Sequence, residues 1–231
     1  MPYKYVDVPA LPAVPSKPST KIYFVNVPNA AQTEFRVGYV TGLKYNVIGD
    51  FYKTTVMNYP FGGSFNSRLN LHLREDKGWT YGARSSFDGD KYTGRFVFSA
   101  GIKAAATDSA LADVLSIMKK YREEGMNEQE LAFTKSSIGQ SEARKYETGA
   151  QKALFLSRIL TYNLSASYPD GQKEMLDILT LQDVNDIAKK YVPENDQLNI
   201  VLVGDKAKVW DGLKGLGYEM VELDKYGNPV P

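Results

Sequence analysis

Two hydrophobic periodicities run through this chain, and the sequence keeps them largely apart. Residues 21–27 and 34–40 alternate apolar and polar and are rich in Val, Ile, Tyr and Phe. Pro28-Asn29-Ala30 between them is turn material, so the pattern predicts a hairpin. Residues 81–87 and 95–102 predict a second hairpin across Asp88-Gly89-Asp90. In its second strand Phe96, Phe98, Ala100 and Ile102 share one face, as in a sheet with one buried side. A helical pattern over residues 50–59 runs up to Pro60, where the missing amide predicts a stop.

Beyond residue 103 the period changes from two to 3.6. Leu111, Val114, Leu115, Met118 and Tyr121 form one helical stripe, ended by Gly125. Asn127 with Glu130, Thr148 with Gln151 and Thr180 with Asp183 have the spacing of capping boxes, so three more helices are expected. Val184, Ile187, Ala188 and Tyr191 make the last of these clearly amphipathic. Residues 198–203 are almost continuously apolar, as in a strand buried on both faces or well inside a sheet; a short helix (205–213) and a strand (218–223) follow. Strands and helices segregated in this way predict an α+β fold, a mixed, largely antiparallel sheet with helices packed on one face. Residues 20–231 read as one domain. Residues 1–19 hold five prolines and read as a semi-rigid linker from a longer chain, the alternative being an extended arm native to a small protein.

Between the two predicted hairpins lies the most distinctive stretch, F-G-G-S-F-N-S-R-L-N-L-H-L-R-E-D-K-G-W-T-Y, residues 61–81. Gly62 and Gly63 suggest a turn needing backbone angles that other residues resist. Ser64 or Ser67 is a candidate cap for a short helix whose Leu69 and Leu73 share a face, and Gly78 is its expected C-terminal stop. That places Arg74 in the last turn and Tyr81 at the start of the next strand, able to face a common cleft. An arginine fork and a tyrosine hydroxyl suit binding a carbonyl or steadying an oxyanion. Arg and Tyr also flank many helix ends for purely structural reasons, so spacing alone leaves both roles open.

Composition removes several classes of function. A net charge of +1 gives no field to attract nucleic acid or an acidic membrane surface, and no apolar run is long enough to span a bilayer. No signal peptide is expected from the first 20 residues, and the absence of cysteine leaves both periplasm and cytoplasm open as compartments. The chain has no cysteine and a single histidine, His72, whereas a protein zinc site needs at least three good ligands. No metal or other cofactor is therefore expected in this domain. Gly62-Gly63-Ser64 lacks the lysine of a phosphate loop, there is no G-x-S-x-G serine elbow, and His72 reads as a packed or surface residue. The acidic pair Glu75-Asp76 and the charged run 142–145 read as solvated edges of helices.

The segment F-G-G-S-F-N-S-R-L…L-R-E-D-K-G-W-T-Y-G resembles the signature of the pitrilysin/insulinase zinc metallopeptidases, and more specifically of their second, zinc-free half. The resemblance extends from about residue 21 to 223. It implies a partner half, upstream in the same chain or a separate subunit, that carries an H-x-x-E-H motif, zinc and a glutamate base; no such motif occurs here. It also implies that Arg74 and Tyr81 hold a peptide substrate near its scissile bond, with the glycine turn at Gly62 and Gly63 beside them. The function implied is the zinc-free C-terminal half of a zinc-dependent endopeptidase, with the isolated domain inactive. The alternative is a scaffold homologue of the same family without catalytic activity. A small-molecule binder built on the glycine turn would require an enclosed polar pocket there.

Overall fold

The computed structural model describes residues 19–230; all of the proline-rich stretch except Ser19 lies outside them. The chain runs β1 (Lys21–Asn26), β2 (Gln32–Val40), α1 (Asp50–Asn58), α2 (Arg68–Asn70), β3 (Thr80–Gly89), β4 (Gly94–Lys103), α3 (Thr107–Glu124) and α4 (Glu128–Glu142). It continues α5 (Gly149–Tyr162), α6 (Tyr168–Ile178), α7 (Leu181–Tyr191), β5 (Asn199–Gly204), α8 (Lys206–Lys214) and β6 (Glu219–Leu223). The six strands form one mixed sheet in the order β3-β4-β2-β5-β1-β6. Contacts β3/β4, β4/β2 and β2/β5 are antiparallel, and β5/β1 and β1/β6 are parallel.

One expectation fails at the start of this order. β1 and β2 are not a hairpin; β5 lies between them and bonds to both. The turn at Pro28–Ala30 is real, with Asn29 at φ 63° and its N–H donated to Asp205 Oδ2 at 3.1 Å. What separates the strands is the apolar run of β5, which gains more by ladders on two sides than by one edge position. That pairing spans about 160 residues of sequence, and local periodicity carries no sign of it.

Cross-strand registers put the buried residues on a single face: Ile22 and Phe24, Phe35 and Val37, Phe96 to Ile102, Ile200 and Leu202. Glu34, Arg36 and Arg95 lie on the opposite face, exposed. Helices close the buried side. Phe61 stacks between Phe96 and Tyr121 of α3, at 6.3 and 4.6 Å, and Phe24 meets Trp210 of α8 edge-on at 5.6 Å. The Thr33 and Thr107 hydroxyls, both buried, bond at 2.8 Å and join β2 to the start of α3.

The helix signals hold in detail. Thr148/Gln151 and Thr180/Asp183 form reciprocal capping boxes, and Asn127 and Glu130 exchange the same pair of bonds at 2.8 and 2.9 Å. The block contains one helix more than expected, because α6 opens on Pro169 without a side-chain cap. Pro60 does not end the first helix. Lacking an N–H, it cannot close an i−4 bond, and the chain passes through it in a wide π turn, Tyr59–Gly63.

Losing the Thr180 cap in Thr180→Ala is expected to cost about 1 kcal/mol. Phe96→Ala, which removes a fully buried ring packed against Phe61 and Phe87, is expected to cost about 3–5 kcal/mol. Urea unfolding midpoints of the two variants measure both, and equal effects would contradict this placement of the core.

Candidate functional site

The stretch 61–81 folds as two wide turns around a tight corner. After the first π turn, Arg68 opens α2, which widens at once into a second π turn, Leu71–Asp76. Leu69 and Leu73 are fully buried, as their spacing predicts. Gly78, at φ 63°, ends the helix: its N–H bonds to Arg74 O and that of Trp79 to Leu73 O. Ser67 occupies the cap position through its backbone, but its buried hydroxyl makes no cap bond and is unpaired.

Gly62 and Gly63 act differently from expectation. Neither has positive φ. A Cβ on Gly62 would stand 2.2 Å from Ser85 Oγ and 2.9 Å from Ser85 N, and one on Gly63 2.9 Å from Asn58 O. Glycine is needed for close approach, of Gly62 to Ser85 in β3 and of Gly63 to Asn58 in α1, and not for a turn. Gly62 is buried in that contact and Gly63 is exposed.

β3 is an edge strand, and two buried asparagines occupy its outer side. Asn58 donates to Ser85 O at 2.8 Å and accepts from Ser85 Oγ at 2.6 Å. Asn70 accepts from Ala83 N at 2.9 Å while donating to Phe65 O at 2.7 Å. Sequence reading missed both. The available signal was a short polar side chain beside Leu69 on the buried side of a helix.

Between Thr80 and Ala83 the register of β3 against β4 slips, forming a bulge. Thr80 Oγ1 bonds both the N–H and the C=O of Gly82, which fixes the extra residue. Tyr81 is thereby turned outward and is 91% exposed. Arg74 Nη1 lies 2.6 Å from Glu75 Oε1, and its guanidinium covers the ring of Phe65 at 4.6 Å. Arg74 and Tyr81 share no hydrogen bond or ring contact, and neither lines the cavities between helices described below. The structure thus brings Arg74 to Phe65 and leaves Tyr81 standing free on the same stretch; the common cleft expected between the pair is not built by these cavities.

Two ion pairs tie this stretch to the helical layer. Arg68 holds Glu130 through both carboxylate oxygens, at 2.7 and 2.6 Å, donates to Gly125 O at 3.0 Å and covers Tyr121 at 4.8 Å. Burial alone would raise the Glu130 carboxyl, but hydrogen bonds from Arg68 and the Asn127 amide hold it below its ordinary value of 4.5. His72 Nε2 lies 2.7 Å from Asp113 Oδ2, with Asp76 at 3.7 Å from Nδ1. The His72 ring is thus held between two carboxylates. Among the described residues no group of three or more His, Cys, Asp or Glu is placed to hold a metal.

Asn70→Ala strands the buried Ala83 N–H and is expected to lower stability by about 1–3 kcal/mol. Because the folded carboxyl of Glu130 is depressed, its stabilisation is complete above 4.5 and is lost as pH falls through the folded value. Glu130→Gln is expected to be less stable than the parent at neutral pH, with the gap narrowing towards pH ~3. Denaturant midpoints at both pH values test this; a gap that does not narrow would refute it.

Comparison with known proteins assigns this frame. The family described as the peptidase M16 inactive domain matches residues 4–138. A Helicobacter pylori protein named non-peptidase homolog YmxG is 27% identical over 164 residues, 69% of this chain and 37% of that protein. The solved peptidase M16 inactive domain from Pseudomonas fluorescens is 25% identical, with a TM-score of 0.73 over 86% of this chain and 47% of its own. A Helicobacter pylori protease shares the fold at 18% identity and a TM-score of 0.68, over 87% of this chain and 49% of its own. The chain therefore spans less than half the length of each of these relatives. With a family match over more than half its length and the fold to go with it, the chain belongs to the peptidase M16 inactive-domain family, the zinc-free half of the pitrilysin type.

Proposed function

We propose that this domain works by contact rather than by catalysis: it is the zinc-free half of a two-half M16 assembly, enclosing and positioning a peptide against a homologous partner half. The observation that carries this reading is Tyr81, 91% exposed on a bulge held between the buried residues Thr80 and Ala83. With Phe65, 64% exposed beneath Arg74, it presents two aromatic faces and a guanidinium towards whatever lies opposite. Such a set can grip a peptide backbone through hydrogen bonds and stacking. Gly63 lies exposed on the same stretch and leaves the backbone open to approach. The likeness to a protein named as a non-peptidase homologue favours an assembly that binds without cleaving.

A second reading has the partner half carry zinc and a glutamate base, so that the assembly is an endopeptidase. Arg74 and Tyr81 serve this reading as well as the first. In that case the two side chains add electrostatic support to the peptide carbonyl as charge develops.

The domain alone is expected to cleave no peptide and to hold no stoichiometric zinc; one tightly bound zinc per chain would contradict both readings. The deciding experiment joins the domain to its homologous partner half and follows peptide binding and cleavage. Arg74→Ala and Tyr81→Phe are expected to weaken peptide binding, with no cleavage by the parent assembly. Cleavage by the parent that falls on the order of a hundredfold in the variants would establish the second reading instead. Binding and cleavage untouched by either substitution would remove the pair from the site.

A further inference from the structure

The far end of β3 borders a different feature. About eight residues beyond Tyr81, roughly 25 Å along the strand, Asp88 and Gly89 reach the underside of α5. This helix buries none of its side chains, and Leu154, Leu156 and Leu160 are exposed. It rests on the rest of the molecule through aromatic rings. Tyr162 stacks on Tyr45 at 3.9 Å, and Phe155 lies between Tyr146 and Tyr168 at 5.2 and 5.4 Å. Beneath it is a cavity of about 440 Å³ walled by α1, α5 and α6, with Phe51, Tyr52, Phe155 and Tyr168 among its lining. That size and that lining are those of a small-molecule or side-chain pocket.

The charges around the cavity decide what fits it. Glu142 is fully engaged, accepting from Lys145 at 2.5 Å and from the Tyr146 hydroxyl at 3.0 Å. Lys145 is spent on the same pair. Burial pushes the Tyr52 phenol up to about 12, with Glu142 and Asp177 adding to the effect, so the ring is neutral. Arg158 of α5 remains. It has no ion pair or hydrogen bond among the described residues, and its charge reaches the phenols of both Tyr45 and Tyr146. The Gln172 side chain lines the same wall and is also unengaged. A second cavity of about 320 Å³, beyond Tyr52, is lined by Asp170 and Asp177 together with Lys135 and Lys173, and both of these cations are already engaged by Asp177.

We infer that the cavity under α5 binds an apolar group ending in a carboxylate, with the body among the aromatic rings and the head on Arg158. A peptide carboxyl terminus with an apolar last residue and a fatty acid share this chemistry. The site is separate from the Arg74 and Tyr81 stretch and does not depend on the function proposed for it.

The test titrates the chain with N-acetyl-Leu-Phe, with its C-terminal amide and with decanoate, following backbone and Gln172 side-chain amide resonances by NMR. A carboxylate probe is expected to shift signals of Phe51, Phe155 and Gln172. The amide, and either carboxylate on Arg158→Gln, should bind about tenfold more weakly or worse, the loss of one charge-assisted hydrogen bond. Arg158 is exposed, so the substitution leaves the fold intact. Saturation by the dipeptide alone assigns the site to peptide termini, and saturation by decanoate alone to acyl chains; either supports the inference. Equal binding of acid and amide, indifference to Arg158→Gln, or no shifts at these residues at millimolar probe would overturn it.

Discussion

The arrangement depends on what happens at the outer edge of β3. An edge strand presents unpaired amides and carbonyls, and a buried one left unpaired costs free energy comparable to a lost hydrogen bond. Here Asn58 and Asn70 supply side-chain amides where a seventh strand would supply backbone. Asn58 ends the helix that leads into the 61–81 stretch and Asn70 lies in α2 within it, so satisfying the strand also fixes the corner. Gly62 lets the first π turn press against Ser85, and Tyr121 closes the other side by donating to Met57 O at 2.7 Å. Arg74 and Tyr81 inherit their positions from this frame.

The two wide turns follow from the same constraint. A regular helix through residues 50–63 would need an N–H that Pro60 does not have, and a regular helix through 68–76 would rotate its later side chains by a different amount about the axis. Widening each turn by one residue keeps Leu69 and Leu73 buried while Arg74 comes out over Phe65. π segments often occur at functional sites, and the geometric reason is visible here. The extra residue re-aims one side chain without moving the packed ones on either side. The bulge at Thr80–Ala83 does the same in a strand, and Tyr81 is the side chain it re-aims.

Local patterns reported this fold well where local forces set it. The capping boxes, the stripe of α3 and the buried face of β4 all appear where periodicity placed them. The false hairpin between β1 and β2 and the role of the paired glycines were not legible, and for a common reason. Both depend on a partner distant in sequence: β5 for the strands, Ser85 and Asn58 for the glycines. The identities of Arg74 and Tyr81 came from a motif; their settings came only from structure. Nothing in the spacing of R-E-D-K-G-W-T-Y indicates that the guanidinium is already engaged by Glu75 while the phenol is free.

That asymmetry bears on how the face works. A guanidinium pinned by Glu75 and a ring has lost much of its side-chain freedom before any ligand arrives, so little further ordering entropy opposes its use. Tyr81 has no such support, and ordering its side chain must be driven by the contact itself. An apolar ring left 91% in water also forgoes the burial that would stabilise the isolated domain. The cost is small for one side chain, and it is borne where Thr80 and Asn70 fix the neighbouring backbone by hydrogen bonds. A rigid frame carrying one pre-ordered cation and one free aromatic is poorly suited to chemistry of its own and well suited to closing against another surface. Under the proposed function, the burial forgone in the domain alone would be recovered on closure against the partner half.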